Sequence, residues 1–593
     1  MVQQSNIASS VDGDRSLNLD LNTADATSVV RAALESCKDG SIFRLTKGEY
    51  HFWPAHAFEK YYYISNNRHS LKRVAFPIIG KKNITIDGGG SHFIFHGEII
   101  PFVIEHSENI TLKNFSVDWH RPFYSQGVIT EVDNNGLVLK IDREKYPYHI
   151  ENGQMIFDGE GWSHTFNEGV FEMDPKTGGP AYLSGDSMGG YIAPDKFHAR
   201  QISSTSARLD APFKRRATVG NVLLLRHYPR LCPGIHLKQS KGICIEQVEL
   251  NHAGGMGVIA QFCENIHLKN SIVRPAPGTG RLFSVTVDAT HFVNCRGLIR
   301  IEACFFSNQM DDPANIHGTN TRIKKQLDDY SLITELVHPE QHGVEIAFPG
   351  DTLGFAHNDD LLTYAAATVK RVEPVDPQYS KIVFEEKLPA ALRPSDVLDN
   401  QSWTADVHIS GCTSCNNRAR GYLLSTPGEI VLENNRISAA GSAVKISGDA
   451  NYWFESGAVR DVIIRSNEFG DCCYGPIEWG RAVIDIDPEI SNPWKNSECF
   501  HHNIRIENNT FRTFDTGILY ARSVDGLAFR NNIVERTDTY CPTRRMGAML
   551  TLDACRNIQI ENNSIEPAIA EPLVAIHAKY TDLHQNGKQG SLD

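Results

Sequence analysis

The stretch IRIENNTF, residues Ile504 to Phe511, recurs as LAFRNNIV from Leu527. Both segments alternate apolar and polar residues, place two Asn in the middle, and then return to an apolar residue. Such alternation is typical of a short strand with one buried face. The two copies begin 527 − 504 = 23 residues apart, which is about one turn of a parallel β-helix. The repeat therefore predicts a stack of coils that bury one continuous core.

The same pattern occurs elsewhere in the chain, and longer spacings between copies indicate loops that leave one corner of a coil. The second Asn of the pair recurs at equivalent corners, where stacked amides can satisfy the backbone groups of the turns. These Asn are Asn435, Asn467, Asn509, Asn532 and Asn563. The copies begin at Ile84, Ile110, Ile243, Ile266, Ile299, Val407, Ile430, Val462, Ile504, Leu527 and Ile558.

The fold class that follows is all-β: a right-handed parallel β-helix with an N-terminal helical cap and two inserted antiparallel, barrel-like β domains. The cap is the amphipathic segment DATSVVRAALESCKD, with Asp25 as its expected N-cap. The insertions are alternating segments that interrupt the repeat. The expected units are 1–123 (cap and first coils), 124–235 (first insertion), 236–318 (central coils), 319–405 (second insertion) and 406–593 (last coils and tail).

Composition narrows the possible partners. The net charge of −13 shows no basic excess for a nucleic acid, and no apolar run reaches the roughly 18 residues of a membrane span. The 13 Cys are expected to be mostly small core residues. The first residues lack the pattern of a signal peptide. We predict no cofactor and no metal.

The acidic candidates lie in NQMDDPANIHG, residues 308–318, and in SVTVDATHF. Asp311 and Asp312 are adjacent, and Asp288 precedes Asp311 by 23 residues, one minimal coil. Hydrolysis of a glycosidic bond needs two carboxyl groups, and an inverting enzyme holds them about 6.5–9.5 Å apart. Stacking at about 4.8 Å per coil makes that separation reachable. We predict that Asp288, Asp311 and Asp312 are catalytic, although acids at strand ends also serve as turn caps or surface ion pairs.

Weaker candidates for sugar contacts come from polar and aromatic residues at corners of the repeat, where a packing role is equally plausible. A stacked ring or a forked side chain suits a sugar, but the same residues also cap turns and fill cores. The candidates are Trp119, His120 and Arg121 in VDWHRPF, His252, Arg274, Asn308, His317, and Glu345 in the second insertion.

With its coils, its two insertions and the segments SVTVDATHF and NQMDDPANIHG, the chain resembles glycoside hydrolase family 110 over nearly its whole length. The resemblance implies an α-1,3-galactosidase that removes terminal galactose from blood group B antigen and related glycans. It also implies inverting, metal-independent chemistry with Asp288, Asp311 and Asp312 essential. Which of them is acid and which base stays open, and Glu345 is another candidate acid. Export by a Gram-negative bacterium, to the periplasm or beyond, is expected, and a homodimer is possible.

Other functions remain open from the sequence. Polygalacturonases are also β-helical and use paired Asp, Gly-His-Gly and Arg-Ile-Lys. Here Asp311, His317 and Arg322-Ile323-Lys324 fall within 14 residues of one another, from 311 to 324, too close to come from successive coils. A non-catalytic, glycan-binding β-helix would keep the coils without needing three acids. A lyase would need Ca²⁺ or a basic cluster to stabilise a uronic acid.

Overall fold

The computed structural model describes residues 24–566 together with strands at 16–19, 574–576, 582–585 and 588–591. Its one α-helix within these residues, Thr27–Ser36, packs Val30, Ala33 and Leu34 into the core and caps the first coils. The helix begins after Ala26, which makes no side-chain cap. The prediction of Asp25 as N-cap is therefore wrong by one position, although its carboxylate does accept the Thr27 N–H at 2.9 Å.

The coils form three sheets of mainly parallel strands. This arrangement confirms the predicted parallel β-helix. One coil, for example, runs through Leu519–Arg522 in sheet 3, Val524–Arg530 in sheet 1 and Ile533–Arg536 in sheet 2 before the next coil begins. Sheets 1 and 2 are joined early in the chain by three long strands that span both. The long strands are Thr85–Phe95, Glu108–Trp119 and Lys241–Leu250.

The remaining strands are assigned as follows. Sheet 1 also contains Ser16–Leu19, Ile42–Leu45, Glu264–Lys269, Arg296–Glu302, Ala405–Ser410, Glu429–Glu433, Asp461–Arg465, His501–Glu507, Arg556–Glu561, Asp582–Gln585 and Lys588–Ser591. Sheet 2 also contains Glu49–Phe52, Ile272–Val273, Phe305–Ser307, Thr413–Cys415, Arg436–Ile437, Glu468–Gly470, Thr510–Thr513 and Ser564–Ile565. Sheet 3 contains Phe58–Tyr62, Ser70–Ile79, Ile100–Glu105, Ile235–Lys238, Val258–Gln261, Thr290–Val293, Ala314–Thr319, Tyr422–Ser425, Val444–Ile446, Ile484–Ile486, Leu550–Asp553 and Val574–Ile576, with Glu455–Ser456 alongside.

The corner between sheets 1 and 2 holds the predicted amide ladder. The Asn509 Oδ1 accepts the backbone N–H and the side-chain Nδ2 of Asn467 at 3.0 and 3.1 Å, and the Asn509 Nδ2 donates to the Ile464 carbonyl at 2.9 Å. The same contacts repeat along all five Asn, which confirms the ladder. The residue before each of them, such as Asn508 with φ of 58°, is left-handed and turns the chain.

The two insertions lie at opposite ends of sheet 3 strands, one before a strand begins and the other after a strand ends. The first lies between Glu108–Trp119 and Ile235–Lys238 and contains a seven-stranded antiparallel sheet and a three-stranded one. The second follows Ala314–Thr319 and is a closed six-stranded barrel. The first comprises Ser125–Val132, Gly136–Ile141, Tyr148–Glu151, Gln154–Asp158, Ser163–His164, Gly169–Asp174, Gly179–Pro180, His198–Gln201, Ser206–Asp210 and Val222–Arg226; the second comprises Thr321–Gln326, Ser331–Glu335, Thr352–Ala356, Thr363–Pro374, Tyr379–Phe384 and Val397–Asn400.

Two expectations from composition can be compared with the structure. Nine of the thirteen Cys are buried and all thirteen are free thiols, which confirms that most are core residues. Among the described residues, no helix is long and apolar enough to cross a membrane.

We expect Asn509→Ala to destabilise the coils by roughly 2–4 kcal/mol, because it leaves a buried N–H and a buried carbonyl without partners at about 1–3 kcal/mol each. Thermal and denaturant unfolding would measure the loss. The matched control is Asn508→Gly, on the exposed side of the same corner, because glycine tolerates its φ of 58°. Equal stability of the two variants would contradict an energetic role for the ladder.

Candidate active site

Three consecutive coils bring the acidic candidates together at the turn that leads into sheet 3. Thr290, Ala314 and Tyr422 are register partners in this sheet. The residues two positions before them, Asp288, Asp312 and Arg420, therefore occupy equivalent places on neighbouring coils. Asp311 lies in the same bend, and one carboxylate oxygen from each of the three Asp lies within 4.8 Å of the others.

This cluster is tighter than the 6.5–9.5 Å separation that the sequence suggested for an acid and a base. The cause is that Asp288 and Asp312 stand on adjacent coils, so only one strand spacing separates them. The Asp312 N–H donates to the Asp288 Oδ1 at 3.0 Å, which fixes one carboxylate against the backbone of the other. The three acids therefore titrate as a coupled set.

Two arginines that the sequence analysis did not identify neutralise part of this charge. The Arg418 Nη1 lies 3.1 Å from the Asp311 Oδ2, and the Arg420 Nη2 lies 3.2 Å from the Asp312 Oδ2. The Arg420 backbone N–H also donates to the Asp312 Oδ1 at 3.2 Å. Arg420 is 108 residues from Asp312 because the whole second insertion intervenes. No local motif could have linked these residues.

The two arginines affect the pKa values of the three acids unequally. Burial alone would raise the pKa of Asp311, but Arg418 and Arg420 outweigh it and hold the pKa below its usual value. Burial, and after it the charge on Asp311, raises the pKa of Asp288 well above its usual value. Burial also raises the pKa of Asp312, against the opposing effect of Arg420. These directions favour an ionised Asp311, and they favour protons on Asp288 and Asp312.

A buried histidine pair agrees with a proton on Asp288. The His317 Nδ1 lies 2.6 Å from the Gly318 carbonyl, so this nitrogen must donate. If both rings are neutral, the His317 Nε2 accepts from the His291 Nε2 at 2.9 Å, and the His291 Nδ1 accepts from Asp288 at 2.6 Å. Burial lowers the pKa of His291 to about 4 and lowers that of His317, which keeps both rings neutral. Each O–H or N–H donor of Asp288, His291 and His317 in this arrangement then has one acceptor.

The first insertion holds the arginines in place. The Arg418 Nε and Nη2 donate to both oxygens of Asp186 at 2.8 and 2.6 Å, and the guanidinium lies 5.3 Å from the Trp479 ring centre. Nearby, Arg230 pairs with Glu168 at 2.8 Å and with Glu340 of the second insertion at 3.5 Å. Both insertions therefore meet beside the acids.

A groove beside the cluster can hold a small ligand. Its volume is about 290 Å³, close to the lower end of small-molecule pockets at roughly 300 Å³. Arg420 and Glu455 connect it to the acids, since the Glu455 Oε1 lies 3.5 Å from the His317 Nε2. Trp453 is partly exposed and provides a flat apolar face of the kind that packs against a sugar ring, whereas Trp479 is 6% exposed and packs against Arg418. Burial, and then the carboxylate of Asp449, raises the pKa of Glu489 in this groove to about 7.

A cation at the three acids would compete with the arginines. Three carboxylates so close could offer oxygen ligands to a hard ion. Here, however, two guanidinium groups already lie 3.1–3.6 Å from Asp311 and Asp312. A divalent ion would therefore be placed next to two fixed positive charges. The two arginines beside these carboxyl groups therefore favour a role in proton transfer over a role in metal binding.

Several weaker candidates lie elsewhere. Trp119, His120 and Arg121 line a separate cavity of about 770 Å³, and the three Asp line neither this cavity nor the groove, but only the groove is lined by Arg420, which contacts Asp311 and Asp312. Arg121 is buried and donates to the backbone carbonyls of residues 122, 124 and 158. His252 is buried between the Phe123 N–H and the Ser284 carbonyl, and Arg274 pairs with Glu249. The contacts of Arg121, His252 and Arg274 are those of structural residues.

Of the other candidates, His317 and Asn308 lie near the acids. His317 belongs to the histidine pair, and Asn308 donates to the Gly178 and Leu282 carbonyls, joining the first insertion to the coil of Asp311. Glu345 pairs with Lys238 at 2.6 Å, and its second oxygen is buried without a partner. The polygalacturonase-like Arg322 and Lys324 both pair with Glu335 in the second barrel, so that similarity has no counterpart at the site.

The comparisons with known proteins match both the insertions and the whole chain. Residues 125–223 match the GLAA-B beta-barrel domain I and residues 331–398 the GLAA-B beta-barrel domain II. The chain is 38% identical to the alpha-1,3-galactosidase B of Bacteroides thetaiotaomicron, covering 93% of this chain and 90% of the relative. It is 36% identical to the alpha-1,3-galactosidase A of Shewanella woodyi, covering 91% and 88%.

Among solved structures, the catalytic unit of a GH87 alpha-1,3-glucanase from Streptomyces thermodiastaticus has a TM-score of 0.36 at 12% identity. The alignment covers 98% of this chain and 70% of that one, a likeness too low to bear on function.

Relatives that are named alpha-1,3-galactosidase and match about nine-tenths of the chain show that this protein is a glycosidase, and the cluster of three carboxyl groups is consistent with that class. More particularly, the chain belongs to the α-1,3-galactosidase family with GLAA-B β-barrel domains.

We expect Arg418→Gln to move the acidic limb of the kcat/KM–pH profile upward by about one unit or more, because loss of the cation raises the pKa of Asp311. Activity on an aryl α-galactoside across pH would measure the shift. Arg281→Gln is the matched control, since it breaks a comparably buried ion pair with Asp118 at the other cavity. An unmoved limb in Arg418→Gln would contradict the need for an ionised Asp311.

Proposed function

We propose that this protein is an exo-acting member of glycoside hydrolase family 110 that removes terminal α-1,3-linked galactose from blood group B or linear Galα1-3Gal glycans. The observation that carries the proposal is the cluster of Asp288, Asp311 and Asp312 beside a groove of about 290 Å³. A groove of that size suits one terminal sugar rather than a long chain. Relatives named alpha-1,3-galactosidase supply the choice of sugar and linkage.

Within this proposal, Asp288 is the general acid and Asp311 the general base. In this assignment Asp288 supplies the proton that the leaving oxygen needs, and its hydrogen bond to the neutral His291–His317 pair stabilises the protonated carboxyl group in the free protein. The pKa of Asp311 is lowered, and its Oδ1 is buried without a hydrogen-bond partner, 3.6 Å from the Arg420 Nη2, so we assign this oxygen the role of accepting a proton from a water molecule that enters with the substrate. The ion pair between Asp312 and Arg420 holds the carboxyl groups of the cluster in position. Bond cleavage needs this division between one protonated and one ionised carboxyl group.

Inversion is the stereochemistry that we propose, although the carboxyl spacing is shorter than in most inverting enzymes. Retention would require a carboxylate to attack the anomeric carbon. The ionised carboxylate, Asp311, lies 3.1 Å from Arg418 and 3.6 Å from Arg420, which stabilise its charge and reduce its nucleophilicity. The same cations also lower the basicity of Asp311, so the proposal of inversion rests on the resemblance to glycoside hydrolase family 110.

Export to the periplasm or outside the cell and a possible homodimer stay predictions from the family resemblance. Cell fractionation and light scattering would check them.

Asp288→Asn, Asp311→Asn and Asp312→Asn should each lower kcat/KM on Galα1-3Gal by about a thousandfold or more while the thermal midpoint changes little. General acid and base groups contribute roughly 10²–10⁴-fold each. Asp288→Asn alone should recover on a 2,4-dinitrophenyl galactoside, whose leaving group needs no proton. Recovery of Asp311→Asn instead would exchange the two roles, and full activity of all three variants would remove the catalytic assignment.

The first product from a Galα1-3Gal substrate should be β-galactose, because inversion converts the α-linkage in a single displacement. Proton NMR within the first minutes, before the anomers equilibrate, would show it; α-galactose would establish retention. Assays with and without an α-1,2-fucose on the penultimate sugar would separate blood group B from linear substrates. Binding without release of galactose would favour a non-catalytic glycan receptor.

A further inference from the structure

A second cluster of side chains with metal-binding atoms lies among the first coils of the β-helix, where these coils meet the first insertion. It is separate from the three Asp. Phe52, Phe95 and Trp119 are register partners in sheet 2. The next residues, Trp53, His96 and His120, therefore stand in one column on three neighbouring coils. The Trp53 ring lies 3.7 Å from the His96 ring at an interplanar angle of 7°, and the His120 ring lies 5.2 Å from His96 on the column.

Glu160 reaches this column from the first insertion, between the strands Gln154–Asp158 and Ser163–His164. Its Oε1 lies 2.8 Å from the His96 Nδ1 and 3.0 Å from the His120 Nδ1, so both rings present the same nitrogen to one oxygen. The Glu160 Oε2 accepts the Gly97 N–H at 3.2 Å, which fixes the carboxylate plane. Three ligand atoms thus converge within 4.8 Å.

The surroundings have the features of a metal site. Metal-binding imidazoles usually use their second nitrogen in a hydrogen bond that orients the ring. The His96 Nε2 lies 2.8 Å from the His51 Nδ1, and the His51 Nε2 lies 3.3 Å from the Glu49 Oε1. Ligand atoms about 2.1 Å from a tetrahedral Zn²⁺ are about 3.4 Å apart, so the two imidazole nitrogens, now 2.8 and 3.0 Å from the Glu160 Oε1, would each move away from it by about half an ångström to admit the ion.

We propose that His96, His120 and Glu160 bind a divalent transition-metal ion such as Zn²⁺, which ties the first insertion to the first coils of the β-helix. Two imidazoles and one carboxylate are the ligand types that such ions prefer. His96 is buried, whereas the His120 side chain is 67% exposed, so the ion has a solvent-facing position beside the cavity of about 770 Å³. The site is separate from the three Asp, and its function is structural. It does not depend on the proposed glycosidase reaction.

The test is a zinc titration of the full chain after chelation and dialysis, with zinc per chain measured by mass spectrometry and affinity by calorimetry. Cys541→Ser serves as the background, because Cys541 is the exposed thiol among the described residues and could bind zinc itself. We expect one Zn²⁺ per chain, a rise in the thermal midpoint on binding, and at least about tenfold weaker binding in His120→Ala. His120 is largely exposed, so its loss should leave the fold intact.

His149→Ala is the matched control, since His149 lies 2.8 Å from the Asp158 carboxylate in the same insertion but has no second imidazole in that contact. It should bind zinc as the background protein does. Glu160→Gln should weaken binding as His120→Ala does. Substoichiometric binding, or equal affinity in His120→Ala and the background, would overturn the proposal and leave a hydrogen-bonded His–Glu–His cluster. Release of galactose should be unchanged by zinc or EDTA, so failure of either proposal can be recognised separately.

Discussion

Parallel hydrogen bonding between neighbouring coils is the constraint on which the other features of this structure depend. In register, residues at the same point of successive coils stack at one strand spacing, whatever their separation along the chain. The rule places Asn467 on Asn509 at one corner and Asp288 beside Asp312 at another. It also places His96 on His120. A column of equivalent positions on successive coils can therefore consist of apolar, amide, carboxyl or imidazole side chains. Each kind of side chain places different demands on its surroundings.

The amide column satisfies itself, whereas the acidic column does not. Each ladder Asn both donates and accepts, so stacking identical residues leaves no group without a partner. Stacked carboxylates repel, and they need either protons or cations. The structure supplies both, since Arg418 and Arg420 lie 3.1–3.2 Å from Asp311 and Asp312 and the histidine pair accommodates a proton on Asp288. The resulting asymmetry separates one protonated from one ionised carboxyl group, which acid–base chemistry requires.

The insertions convert a regular sheet face into an enclosed site. Sheet 3 by itself would expose its outward column to solvent. The first insertion brings Asp186 to Arg418, and the pairing of Arg230 with Glu340 joins the two insertions across the same face. The first insertion also places Glu160 against His96 and His120 in sheet 2. One inserted domain thus supports the acids on one sheet and forms the His–Glu–His cluster on another.

The local repeat of the sequence determined the all-β class, the coil architecture and the Asn ladder, because these features depend on residue type at short, fixed spacing. It also singled out Asp288, Asp311 and Asp312, whose separation of about one coil is visible without a structure. The partners of these acids were decided only by the tertiary structure. Arg420 follows an entire inserted barrel and Asp186 belongs to another, and no periodicity connects them. The tertiary structure also decided that Trp119 and Arg121 line a different cavity from the groove beside the acids, and their contact with a sugar stays a prediction. Residue spacing specifies contacts within a repeat, whereas contacts across an insertion depend on how folded domains pack.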